Sequence, residues 1–188
     1  MFPGGAEFRL GSMTRVNALL DTFTPVDSMG RQRFEIAHDF VDGIDELTGR
    51  LKTSKRRITA AVKASGTSLT DICGLGPITA AIIIGNTGNI DRFPTKARFA
   101  SYNGTAPVDA SSGPKVRHRL NPRGNRQLNW AIHVVAISQL RHDTIGRAFY
   151  DRKIEEGKTP KEAIRALKRR LSDVIYRHLV KDARRLRG

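Results

Sequence analysis

From Asp27 to Ala64 the chain carries no proline, and apolar residues return along it every seven positions. Ala37, Ile44, Leu51 and Ile58 make one row, and Phe34, Val41 and Val62 lie on the neighbouring row with Thr48 and Lys55 between them. Phe40 and Leu47 widen the stripe. A seven-residue apolar period over roughly four heptads specifies one long helix with a coiled-coil-like seam. Such a seam has two uses: it pairs with a second copy, or it packs on its own domain. Gly30, Gly43 and Gly49 weaken the helix, each by about 1 kcal/mol against alanine. Ser65-Gly66 supplies its end.

The 188 residues suffice for one domain plus an extension. Residues 1–26 read as a disordered tail or leader remnant, 27–66 as the long helix, and 67–188 as a compact helical domain, so the fold class expected is all-α. The longest largely apolar run, Ile78 to Ile84, is far short of the ~20 residues a membrane span needs. Cys73 is the only cysteine, which excludes a disulfide scaffold and any cysteine-based zinc cluster. Thirty-three Lys and Arg against 18 Asp and Glu leave a formal charge of +15, so a polyanion, DNA first, is the expected partner. The expected location is cytoplasmic and nucleoid-associated.

Three features carry this expectation. First, Leu69 to Ile82 reads as a short helix, a Gly74-Leu75-Gly76 turn and a second helix opened by Pro77, which is a helix-hairpin-helix pattern. Gly74 and Gly76 would bring backbone N–H groups to a phosphate at a helix start; the plainer reading is a tight turn between buried helices. Second, Asn103 to Gly124 holds three prolines and three glycines and no periodic apolar face. Ser111 and Ser112 sit there at a Ser-Ser-Gly-Pro turn, followed by Lys115, Arg117, His118, Arg119, Arg123, Asn125 and Arg126. A hydroxyl among guanidinium groups suits phosphoryl chemistry, because the cations stabilise charge building on the phosphate oxygens; the plainer reading is a flexible basic loop. Third, the last helix, announced by a capping box at Thr159-Pro160-Lys161-Glu162, carries ten cations on one face, among them Lys168, Arg169 and Arg170. That face either contacts a nucleic-acid backbone or is solvated.

An ordered set of short motifs adds a resemblance. Gly74-Leu-Gly-Pro-Ile-Thr-Ala-Ala81, Asp91-Arg-Phe-Pro94, Ala100-Ser-Tyr-Asn-Gly-Thr-Ala-Pro107 and Ser111-Ser-Gly113 come first. Arg117 to Leu120, Gly124-Asn-Arg-Gln-Leu-Asn129, Arg141-His-Asp143, Gly157 to Ala163 and Leu167-Lys-Arg-Arg-Leu171 follow. Over about Arg31 to Leu179 the chain resembles the C-terminal domain of the insertion-sequence transposases of family one-hundred-and-ten, the bridge-RNA-guided serine recombinases. The resemblance implies a serine nucleophile that joins DNA covalently, Ser112 by position with Ser111 as fallback. It implies a guide RNA as a further partner and a homo-oligomer through residues 27–64. In that family a ribonuclease-H-like domain supplies a DEDD carboxylate set and its Mg2+. Nothing upstream of Asp27 matches that domain, so no cofactor is expected of this chain and it is expected to be inactive alone. The alternative is a non-catalytic nucleic-acid-binding or oligomerisation module left from a truncated transposase.

Overall fold

The computed structural model describes residues 13–109, 118–119 and 124–188, with backbone alone at 108, 109, 118 and 119. Among these residues the fold is all-α: α1 (Met13–Asp21), α2 (Ser28–Ala64), α3 (Pro77–Thr87), α4 (Lys96–Tyr102), α5 (Arg126–Leu140), α6 (Ile145–Glu155) and α7 (Pro160–Arg185). The one exception is a two-residue antiparallel ribbon, β1 (Val108–Asp109) with β2 (His118–Arg119). The chain divides into two compact units, up to Arg57 and from Ile58 onward.

In the first unit, the segment read as a tail contains α1. Leu20 is buried, and Phe23 just beyond the helix stacks on Phe34 of α2 with ring centroids 5.8 Å apart. The sequence does not announce this helix because nine residues hold too few turns for an apolar period to show. Asp27 opens α2 by accepting the Gly30 N–H at 2.5 Å, satisfying one of the helix's orphan donors. The proline-free run then continues to Ala64, as expected. Gly66, at φ +61°, ends it by donating its N–H to the Lys63 carbonyl. Gly43 and Gly49 meet nothing within 4 Å, so the helix tolerates them on an open face.

In the second unit, the last turns of α2 contribute Val62 to a core that includes Leu69, Ile83, Phe99, Leu128, Ile132 and Ile175. α3 packs on α5, and α4, α5 and α6 pack on α7. Phe93 joins them, edge-on to Phe99 and beside Tyr102, while the Tyr176 hydroxyl donates to the Phe93 carbonyl at 2.9 Å. Two helix starts follow their sequence signals. Thr95 caps α4, and Thr159 with Glu162 forms the reciprocal capping box of α7 behind Pro160. Asp182 near the end of α7 accepts the Ser68 N–H and the Thr67 hydroxyl. Those contacts tie the turn after α2 to the last helix.

Candidate nucleic-acid interface

The segment bearing the serines leaves and re-enters the domain through a narrow neck. A Cβ at Gly124 would lie 2.5 Å from Cα and N of Gly104, so outgoing and returning chains touch backbone to backbone, and Gly104 itself needs φ +72°. The Asn125 N–H donates to the Tyr102 carbonyl at 2.6 Å. The Asn125 side chain accepts the Leu128 N–H as N-cap of α5 and donates to Asn86 Oδ1 and the Tyr102 hydroxyl. Below the neck lies Asn103, fully buried. Its amide donates to Ser172 of α7 at 2.8 Å, its Oδ1 accepts from both the N–H and the hydroxyl of Thr105, and its carbonyl accepts from Asn129 of α5. Buried and fully partnered polar groups of this kind fix one arrangement, since leaving any of them unpaired costs about 1–3 kcal/mol. The β1–β2 ribbon continues from this base, pairing Val108 with Arg119 and Asp109 with His118. Ser111, Ser112, Lys115, Arg117 and Arg123 lie outside the described residues, and of His118 and Arg119 only the backbone is described.

The last helix requires a correction. Lys168, expected on the solvated basic face, is 8% exposed and donates to Asn129 Oδ1 at 2.6 Å. The ten-cation face is therefore not continuous: Lys168 lies beside Leu167 and Leu171, on the side of α7 that packs against α5. Burial lowers its pKa from the ordinary lysine value. His133 on α5 is likewise lowered, first by burial and then by the nearby Lys168 charge, so its neutral form is favoured. Arg169 is half-buried and pairs with Asp173. Arg170 is exposed and stands over the Phe149 ring at 5.0 Å, where Arg152 and Lys153 also approach. Of the three, Arg170 is the one left facing solvent.

The glycine hairpin also departs from its expected form. Its first element is a single 3-10 turn, Ser68–Asp71, rather than a helix. Gly74 has φ +80°, and a Cβ there would lie 2.9 Å from Ser138 Cβ and 3.3 Å from the Val135 carbonyl. The glycine therefore serves close packing against α5, where Gln139 also donates to the Cys73 carbonyl at 2.8 Å. Gly76 differs: it is the N-cap of α3 with open space where a Cβ would stand.

Sequence reasoning does not reach two parts of this surface. Asn86, Asn103 and Asn129 form the framework of the neck, yet an asparagine far along the chain from its partners carries no periodic signal. Trp130, the only tryptophan, is 54% exposed on the first turns of α5, four residues after the exposed Arg126. Residues four apart on a helix share a face, so an aromatic plane and a guanidinium stand together beside the neck. Its rarity in the sequence was the available signal. Among the described residues no three His, Cys, Asp or Glu converge to hold an ion, and Asp39, Asp42, Asp45 and Glu46 are all exposed along α2. No helix among the described residues is long and apolar enough to cross a membrane.

Residues 66–151 match a family described as Transposase IS116/IS110/IS902. Over 109 residues the chain is 38% identical to an uncharacterized 43.6 kDa protein of insertion element IS110 from Streptomyces coelicolor, a stretch covering 57% of this chain and 27% of that protein. It is 28% identical over 145 residues to an uncharacterized 44.8 kDa protein of IS116 from Streptomyces clavuligerus, covering 76% and 35%. It is 35% identical over 105 residues to an uncharacterized 42 kDa protein of IS900 from Mycobacterium paratuberculosis, covering 55% and 26%. The chain thus spans roughly a third or less of the length of these relatives.

Proposed function

Because residues 66–151 match the Transposase IS116/IS110/IS902 family, we propose that this chain handles DNA in transposition and offers a serine hydroxyl as nucleophile. A transposase-related role agrees with every relative named above. The observation that carries the finer reading is the neck. Fully partnered Asn103, the Gly104–Gly124 contact and the Asn125 cap give the segment between them a fixed base on α4, α5 and α7. Catalysis needs a reacting group held in place, and a rigid scaffold beneath a reactive loop is the usual way to hold it. In the proposed step the Ser112 oxygen forms a bond to the scissile phosphorus as the phosphorus–sugar oxygen bond breaks. The proton that the Ser112 hydroxyl gives up balances the one the departing sugar oxygen takes up, and Lys115, Arg117 and Arg119 spread the negative charge. The carboxylate set and its Mg2+ that the resemblance implies would belong to a further domain or chain. A guide RNA would draw on the same cations.

The test is Ser112→Ala and Ser111→Ala, each in a whole transposase assembled with this domain. The expected result is loss of strand exchange in one of them with DNA binding retained. Full strand exchange by the double variant would overturn the nucleophile assignment.

A second reading, non-catalytic nucleic-acid binding, is favoured by Trp130 and Arg126. An exposed aromatic beside cations is suited to stacking an unpaired base. Because Trp130 is the only tryptophan, its fluorescence reports on that contact alone. Quenching by an oligo(dT) strand, with binding weakened roughly 5- to 150-fold in Trp130→Ala, is expected; unchanged fluorescence at saturating DNA would refute it. The third element of the reading is self-association through the open apolar face of α2, where Phe40 is 69% exposed.

A further inference from the structure

The charges of α2 are sorted along its length. Residues 35–46 hold five acids (Glu35, Asp39, Asp42, Asp45, Glu46) and no Lys or Arg, whereas residues 50–63 hold six cations (Arg50, Lys52, Lys55, Arg56, Arg57, Lys63) and no acid. The apolar seam that faces solvent runs through Met29 (60% exposed), Ile36 (49%), Phe40, Ile44 (46%), Leu47 (61%) and Leu51 (56%), and its last four positions lie across the junction. From these two facts we infer that α2 pairs with a second copy of itself in antiparallel orientation, Phe40 against Leu51 and Ile44 against Leu47 of the other chain. This inference rests on the self-association reading and deepens it.

Three physical arguments select the antiparallel arrangement. Phe40, Ile44, Leu47 and Leu51 each find an apolar partner in this register, because these four positions are symmetric about the segment between Ile44 and Leu47, whereas Ile36 falls beside Lys55 of the other chain. Residues 35–46 then run beside residues 45–56 of the other helix, so Glu35, Asp39 and Asp42 lie along Arg50, Lys52, Lys55 and Arg56 of the second, while Asp45 and Glu46 of the two chains meet at the centre. The opposed helix dipoles add a smaller favourable contribution. A parallel pair keeps the apolar contacts but sets acid block beside acid block. It also brings Arg50 beside Lys55 of the second copy on both flanks of the seam, where opposite charges normally specify partner and orientation. Arg50 has a loose partner in its own helix, Glu46 at 3.8 Å, with both side chains 72% exposed, so its charge remains available to the other chain.

Disulfide trapping distinguishes the orientations in the full chain. With Cys73→Ser as background, Phe40→Cys and Leu51→Cys chains of different mass are oxidised separately and mixed. Antiparallel pairing gives a disulfide only in the mixture, because each thiol introduced at position 40 would stand about 16 Å along the axis from its own symmetry mate. Disulfides within each separate sample would overturn the orientation while leaving self-association standing. A background chain that sediments as a monomer at about 100 μM, a concentration at which even a weak pair with a micromolar Kd would form, would overturn both. Since these cysteines thin the seam, Arg50→Glu provides an independent measure in an otherwise native chain. Antiparallel pairing predicts dimer dissociation roughly three- to tenfold easier, because a new acid meets the acidic block. Tighter dimers would point to the parallel pair and refute the inference.

Discussion

Lys168 and Asp182 are both drawn out of water, with opposite consequences for pH. Burial raises the Asp182 carboxyl, but the hydrogen bonds from Thr67 and Ser68 and the charge of Arg185 outweigh it, so the pKa falls below its ordinary 3.8. A carboxylate depressed on folding contributes stability that is present above its unfolded value and is lost as pH falls through the folded one. Asp182→Asn should therefore cost about 1–3 kcal/mol at pH 7, read by urea unfolding, with the gap to the native chain closing below pH 3.8. Lys168 runs the other way. Its folded pKa is lowered from 10.5 by burial, so holding the charged form costs stability at neutral pH. As pH rises toward 10.5 the unfolded chain binds more protons, and the folded state gains. Relative to Lys168→Met, the native chain should gain stability in that alkaline window; a flat difference between the two would show that the ammonium is not desolvated.

The elements were the most legible level. The proline-free heptad run, the Ser65-Gly66 end, the Thr95 cap and the Thr159–Glu162 box each depend on residues within one or two turns of one another, so sequence alone carries them. The Gly74–Gly76 hairpin was legible as a turn but not in its purpose. Both glycines read alike along the chain, whereas only Gly74 has positive φ and faces Ser138. Gly74→Ala should destabilise the fold by about 1–3 kcal/mol in thermal or urea unfolding. Gly76→Ala, at φ −82° with open space, should leave stability within about 0.5 kcal/mol. If Gly76→Ala nonetheless weakens DNA binding, the α3 start touches phosphate; if not, the hairpin is structural.

For the whole molecule, the charge of +15 predicts binding governed by released counterions. The logarithm of the DNA association constant should fall linearly with the logarithm of salt, with a slope of about −0.9 per phosphate neutralised; Arg170→Ala should make that slope shallower by about one, and Lys168→Met should leave it unchanged. The reason is that Lys168 lies under Asn129 while Arg170 faces solvent. Composition and local spacing determined that the chain is helical, strongly cationic, carries a long apolar-striped helix, and has serines followed closely along the sequence by arginines, because each property resides in residue identity or in neighbours a few positions apart. Tertiary structure alone decided which cations reach solvent, that Gly74 packs against α5, and that Asn86, Asn103, Asn125 and Asn129 close the neck where Gly104 meets Gly124. Those partners lie tens of residues apart, and only the packing of α3 on α5 and of α4 and α5 on α7 brings their hydrogen-bonding groups within reach.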